Sequence, residues 1–157
     1  MIADNLARAR ALADRLSGPL RSALLLAFRL YWGVQFVQTG VGKLRNLERT
    51  TDFFASLGIP FPAANAAFVG TLESVGGVLL VLGLFSRIVA LPLTVNMLVA
   101  YLTADRAALF ALFSDPSAFV QAAPFPFLVT SLLVLAFGPG AASLDERIRR
   151  RTPTPRP

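Results

Sequence analysis

The chain has 157 residues, enough for one unit and too few for two ordinary domains. Hydrophobic residues make up 55% of it and charged residues only 15%, against roughly 25% charged in a soluble domain. Mean hydropathy is +0.62, and the chain lacks the polar side chains to cover a water-facing surface. Net charge is +6, yet the basic residues sit at the chain ends and beside apolar runs. That is where topology determinants lie, and the pattern argues against nucleic-acid binding. The absence of Cys and His excludes thiolate metal sites, Fe–S clusters and dithiol exchange within this chain. Haem ligation is not expected, and no metal site is expected.

In chain order, residues 1–21 read as an amphipathic interfacial helix. Ile2, Leu6, Ala9, Ala13 and Leu16 form one face, and Arg8, Arg10 and Arg15 flank it. Asp4 suits its N-cap, and Gly18-Pro19 is expected to break it. No small-x-small cleavage site follows, so the segment reads as a retained anchor. The first span is expected over Ser22 to Val41, because about 20 residues match a hydrocarbon core of about 30 Å. In the loop that follows, Thr51 or Asp52 could cap a short helix holding Phe53, Phe54 and Leu57, ended by Gly58.

The second span is expected from Ala63 to Phe85, with Ser86 and Arg87 as a tight turn. The third covers Ile88 to Thr103, with Pro92 near its first turn. Asp115-Pro116 supplies an N-cap followed by proline at N1. The fourth span then runs to Phe137, bent at Pro124 and Pro126 and stopped by Gly138-Pro139-Gly140. Residues 141–157 read as a basic, disordered tail. The fold class is therefore all-α: an antiparallel bundle of four transmembrane helices over residues 22–140. Ten of the Lys and Arg residues fall on the side of the two termini and four on the other. This bias predicts a multi-pass plasma-membrane protein with both termini cytoplasmic.

Arg29 and Glu73 are the informative intramembrane charges, since such groups face a bundle interior. Arg29 lies roughly 10 Å and Glu73 roughly 18 Å from the inner ends of their spans. A long Arg side chain can close much of that gap, which makes an Arg29–Glu73 ion pair reasonable. The pair either fixes helix register or orients a polar ligand head, and Glu73 is the candidate for any proton chemistry. Gly33 and Gly40 share a face of the first span with Arg29 and Lys43. Gly70, Gly76 and Gly77 surround Glu73 on the second. These small-residue faces predict close helix packing. Asn96 is a weaker polar candidate.

The same residues carry a resemblance. Arg29, Gly40-Val41-Gly42-Lys43-Leu44, Phe54-x-x-x-Gly58-x-Pro60 and the segment from Glu73-Ser74-Val75-Gly76-Gly77 through Leu82-Gly83-Leu84-Phe85-Ser86-Arg87 resemble the DoxX family and its DoxD-like relatives. The likeness covers about residues 24–140. It implies a four-helix membrane bundle and an association with respiratory or sulfur redox chemistry, because DoxD-like members are linked to thiosulfate:quinone oxidoreductase. By position, Arg29, Lys43, Glu73 and Arg87 are the polar signature. The resulting expectation is a membrane component of a redox or oxidative-stress system. A quinone or lipid-like ligand would lie between the Arg29/Glu73 pair and an apolar lining of Trp32, Phe36 and Phe68. An oxidoreductase role would need a partner subunit or bound quinone. The alternatives are a membrane scaffold for soluble proteins, acting with a protein partner or as a homo-oligomer, and a small-solute or proton transporter.

Overall fold

In a computed structural model of the protein, which describes the backbone of residues 2–151 and the side chains of residues 15–151, every regular element is a helix. Helix α1 (Ile2–Arg45) runs without interruption through Gly18-Pro19, so the expected break is absent. Proline fixes φ at a helical value, so the helix can continue through Pro19 at the cost of one N–H bond and local crowding of the preceding turn. The proposed N-cap Asp4 and the apolar face from Ile2 to Ala13 involve side chains outside the described residues, as do the last residues of the tail.

Helix α2 (Leu47–Ser56) forms where a short helix was expected, but it starts four residues before Thr51, with Asn46 at its N-cap. Gly58 adopts a positive φ of 73° just beyond it. Helix α3 (Pro62–Leu82) opens with proline at its first position, where a missing N–H costs nothing. It closes on Gly83 in the left-handed region, whose N–H and that of Leu84 bond back to Leu80 and Leu79. The reversal is therefore Gly83–Phe85. Ser86 and Arg87 already belong to α4 (Ser86–Thr103), which corrects the expected turn by one to two residues.

Beyond α4, short helices α5 (Arg106–Phe110) and α6 (Pro116–Gln121) lead into α7 (Phe125–Phe137). Asp115 caps α6 as expected, accepting from the N–H groups of Ser117 and Ala118. The fourth apolar segment is interrupted rather than bent. Pro124 and Pro126 both lack a donor and clash with the preceding turn, and Ala122 is extended. Residues Leu144–Arg151 are also helical (α8). The expected disorder therefore does not extend to this part of the tail, where Asp145 and Glu146 open the helix and Arg149 to Arg151 close it, complementing its dipole.

Helices α1, α3, α4 and α7 pack in a ring, α1 on α3, α3 on α4, α4 on α7 and α7 on α1. Phe36, Leu80, Leu93, Tyr101 and Val134 are buried between them. Their outer faces are apolar too: Phe68, Val75, Leu82, Ile88, Leu91, Val95, Leu98 and Leu102 all stand exposed. Exposed apolar surface this continuous is the signature of a protein whose surroundings are themselves apolar. Among the described residues, α3 and α4 are long and apolar enough to cross a membrane, while α7 is apolar but has 13 residues.

Candidate functional site

Two helices approach closely enough for backbone contact because glycines meet across them. A Cβ on Gly77 would stand 2.6 Å from the Gly33 carbonyl, and one on Gly40 would stand 2.6 Å from the Gly70 carbonyl. The fifth glycine of the set, Gly76, faces Leu93 of α4 instead. This tight α1–α3 seam brings Lys43, near the end of α1, against Glu73 in the middle of α3. Lys43 Nζ donates to Glu73 Oε2 at 2.5 Å. The other carboxylate oxygen, Oε1, accepts from Asn96 Nδ2 of α4 at 3.0 Å. Glu73 is 3% exposed and Lys43 28%. A buried carboxylate thus receives a cation and an amide from two different helices, the arrangement a charge in a low-dielectric interior requires.

The Arg29–Glu73 pair expected from the sequence does not form. Arg29 instead turns toward the other end of α3, where Nε donates to the Leu80 carbonyl at 2.8 Å and Nη2 to Val81 at 3.2 Å. Nη1 donates to the carbonyls of Pro139 and Ala142. Leu80 and Val81 lie in the last turn of α3, whose carbonyls lack intrahelical partners and carry the negative end of the helix dipole. Arg29 therefore caps α3 and ties it to the segment after α7. Glu73 lies seven residues before Leu80, roughly 10 Å along the helix, and out of reach once the guanidinium is committed. Arg87 is also remote from the Lys43–Glu73 pair, with Nη2 at 3.3 Å from the Ala136 carbonyl.

The Lys43–Glu73–Asn96 cluster lines a cleft of about 340 Å³ between α1, α2, α3, α4 and the start of α7, where Thr39, Asn65, Thr103 and Asp105 are further polar residues. Most of its wall is apolar, including Phe54, Val69, Met97, Ala100 and Phe127. Helix α2 covers one side, with Phe53 and Phe54 both on the wall. The interruption before α7 contributes Ala123 and Pro124. Two prolines that stop the helix thereby open space beside the carboxylate.

The apolar lining anticipated from the sequence is different. Trp32 and Phe36 stack edge-on against Phe127, with ring centroids 5.1 and 4.7 Å away, and support the wall from behind. Phe68 is 61% exposed on the outer side of α3 and faces a separate shallow groove with Val75, Ile88 and Pro92. Hydropathy alone missed Thr39, Phe54 and Phe127. Sequence periodicity did offer one signal: Thr39 and Lys43 are four residues apart, on one face of α1. Among the described residues, no group of acidic residues is placed to hold a metal ion.

A family model described as DoxX matches residues 24–106, which contain Arg29, Lys43, Glu73, Arg87 and Asn96. Three curated proteins are similar. "Putative oxidoreductase CatD" of Bacillus subtilis is 33% identical over 78 residues, half of this chain and 57% of that protein. "Uncharacterized membrane protein Rv3486" of Mycobacterium tuberculosis is 29% identical over 139 residues, covering 81% of this chain and 82% of that one. "Inner membrane protein YphA" of Escherichia coli is 31% identical over 137 residues, covering 83% and 94%. No solved structure matches.

Proposed function

The chain belongs to the DoxX family of membrane proteins, and from that membership we propose that it is a four-span component of a respiratory, sulfur or oxidative-stress redox system that binds a quinone or similar lipid-like ligand in the cleft at Lys43, Glu73 and Asn96. The observation that carries this reading is the placement of a buried carboxylate, cation and amide together in the wall of a mostly apolar cleft. Small-molecule sites combine apolar walls with a few convergent polar groups in this way. The name of the Bacillus subtilis relative supports a redox setting.

The residues fit a quinone in kind. Lys43 Nζ and Asn96 Nδ2 are donors for carbonyl oxygens, and the apolar wall suits a ring and an isoprenoid chain. When bound, a quinone supplies two-electron redox capacity, which a chain without Cys or His cannot supply from its own side chains. Lys43 and Asn96 orient the ligand head, and Glu73 Oε1 and Oε2 are where a proton is held or passed. Helix α2, with Phe53 and Phe54, keeps water from the head. Spans over α1, α3, α4 and the α6–α7 segment, with both termini cytoplasmic, accord with the charge bias of ten basic residues against four.

Protein purified from membranes in mild detergent is expected to yield quinone on organic extraction. The Glu73→Gln and Ala100→Trp variants, the second of which fills the cleft, should yield several-fold less. Equal quinone content in all three proteins removes the reading. Reporter fusions at the two termini test the topology, and a reporter response from the outer side of the membrane would overturn the orientation.

A further inference from the structure

At the opposite end of the bundle from the Lys43–Glu73 pair, a second cleft of about 480 Å³ opens between α1 at Arg21 and Ser22, the start of α4, the Gly138–Ala141 segment and α8. Its wall carries three arginines, Arg21, Arg87 and Arg149, from three different helices. Two carboxylates share it, and every oxygen of both already accepts a hydrogen bond. Asp145 Oδ1 and Oδ2 accept the N–H groups of Phe85 and Ser86 at 2.8 and 2.9 Å. Glu146 accepts from Arg149 through both oxygens and from Arg150 through Oε1. The nearby carbonyls of Pro139 and Ala142 are taken by Arg29. These acceptors of the cleft are thus engaged, and so is Arg149, whereas most of the donors of Arg21 and Arg87 are not. Arg21 is exposed and has no hydrogen-bond or ion-pair partner among the described residues, and Arg87 makes a single bond to a carbonyl.

We propose that this cleft binds the phosphate of an anionic phospholipid, held by Arg21 and Arg87. Planar guanidinium forks match phosphate oxygens in geometry as well as charge. The lipid source, rather than a soluble phosphate, is favoured by what borders the cleft. Phe137 lies in its wall and is 51% exposed. Leu24, one turn from Arg21 on the same face of α1, is 53% exposed. A phosphate between the two arginines therefore places its acyl chains along bare apolar surface. The basic residues also belong to the side with the excess of positive charge, where anionic headgroups attract arginine.

The test uses the full chain in mild detergent, with phosphatidylglycerol, phosphatidylcholine and inorganic phosphate as probes and native mass spectrometry as the readout. Wild type should retain phosphatidylglycerol over phosphatidylcholine of the same chain length, and Arg21→Glu should lower that retention at least about five-fold. Arg21→Lys should restore most of it, and Arg87→Gln should weaken it independently. Because Arg21 is exposed and unpartnered, Arg21→Glu is expected to leave helix content unchanged. A salt titration of the wild type reads the same contact with no substitution, retention falling from about 50 to 500 mM salt. Unchanged retention in Arg21→Glu, or in the salt series, overturns the site. Displacement of the lipid by millimolar inorganic phosphate overturns the lipid as its ligand.

Discussion

Lys43 and Glu73, thirty residues apart in sequence, meet at 2.5 Å across the α1–α3 seam, and the meeting depends on glycine. With any side chain at Gly40 the helices would have to part, because its Cβ would fall 2.5 Å from the Ser74 nitrogen. Gly40 is three residues before Lys43 and Ser74 is next to Glu73, so the closest backbone approach lies one turn from the ion pair. Packing and polarity are one device here. The small residues bring in the charges, and the charges satisfy each other where water is scarce.

The two members of the pair differ in exposure, so their substitutions should differ in cost. Lys43→Met leaves a carboxylate that is 3% exposed with only an amide partner, whereas Glu73→Gln leaves a lysine that is 28% exposed and able to find water. Lys43→Met is expected to cost roughly 2 kcal/mol, discounted from the full cost of breaking a buried pair because Lys43 is partly solvated. Glu73→Gln should cost less, and the double variant less than the sum of the two. Thermal unfolding in detergent checks the order. Additive effects would mean that the two side chains do not interact.

Arg29 should be the less replaceable residue. Its guanidinium donates to four carbonyls, two in the last turn of α3 and two after α7. Lysine keeps the charge but has one nitrogen in place of the fork. Arg29→Lys is therefore expected to cost roughly 3 kcal/mol, since each hydrogen bond involving a charged group contributes roughly 1.5 to 3 kcal/mol and lysine can keep some of them. A midpoint equal to wild type in the same thermal assay would show that charge alone suffices.

Much of this was legible from the sequence. Hydropathy gave the helical class and the ends of α3 and α4 to within a few residues, because apolar runs there are bounded by proline, glycine and charge. The glycine faces of α1 and α3 were legible because close approach needs small residues at helical spacing. The partner of Glu73 was not. Arg29 and Lys43 are both plausible by reach, and the choice depends on which way the Arg29 side chain points along its helix. That direction is settled by the carbonyls at the end of α3 and after α7 that the guanidinium reaches, which no pairwise spacing reveals. The cleft was missed for a related reason. Its wall comes from five segments, and the interruption at Ala122–Pro124 that opens it looks in sequence like a kink. The continuity of α1 through Pro19 was missed because Gly-Pro reads as a breaker, although proline's fixed φ is itself helical.

The seam gives a matched pair of alanine substitutions. Gly40 and Gly42 lie in the same helix, yet a Cβ at Gly40 collides with Ser74 and Gly70 while one at Gly42 meets nothing within 4 Å. Alanine is preferred to glycine in a helix by about 1 kcal/mol. Gly42→Ala should therefore stabilise the protein by up to about 1 kcal/mol, and Gly40→Ala should destabilise it by about 1 to 3 kcal/mol through overpacking. Gly40→Ala should also release bound ligand from the cleft by moving Lys43. Equal midpoints for the two variants would mean that α1 and α3 do not touch.

Helix α8 carries the clearest pH dependence outside the apolar helices. Arg149 and then Arg150, both hydrogen-bonded to Glu146, hold its carboxyl down to about 2, below the ordinary 4.5. A folded value below the unfolded one means that the contribution is complete above pH 4.5 and is lost as pH falls toward 2. Hydrogen exchange of the amides in Leu144–Arg151 should therefore become less protected across that interval. Glu146→Gln should show reduced protection at neutral pH and a flatter acid profile. Asp145, whose carboxylate holds the N–H groups of Phe85 and Ser86, is intact in that variant. The difference between the two profiles therefore isolates Glu146. Superimposable profiles would show that its contacts with Arg149 and Arg150 do not hold the helix.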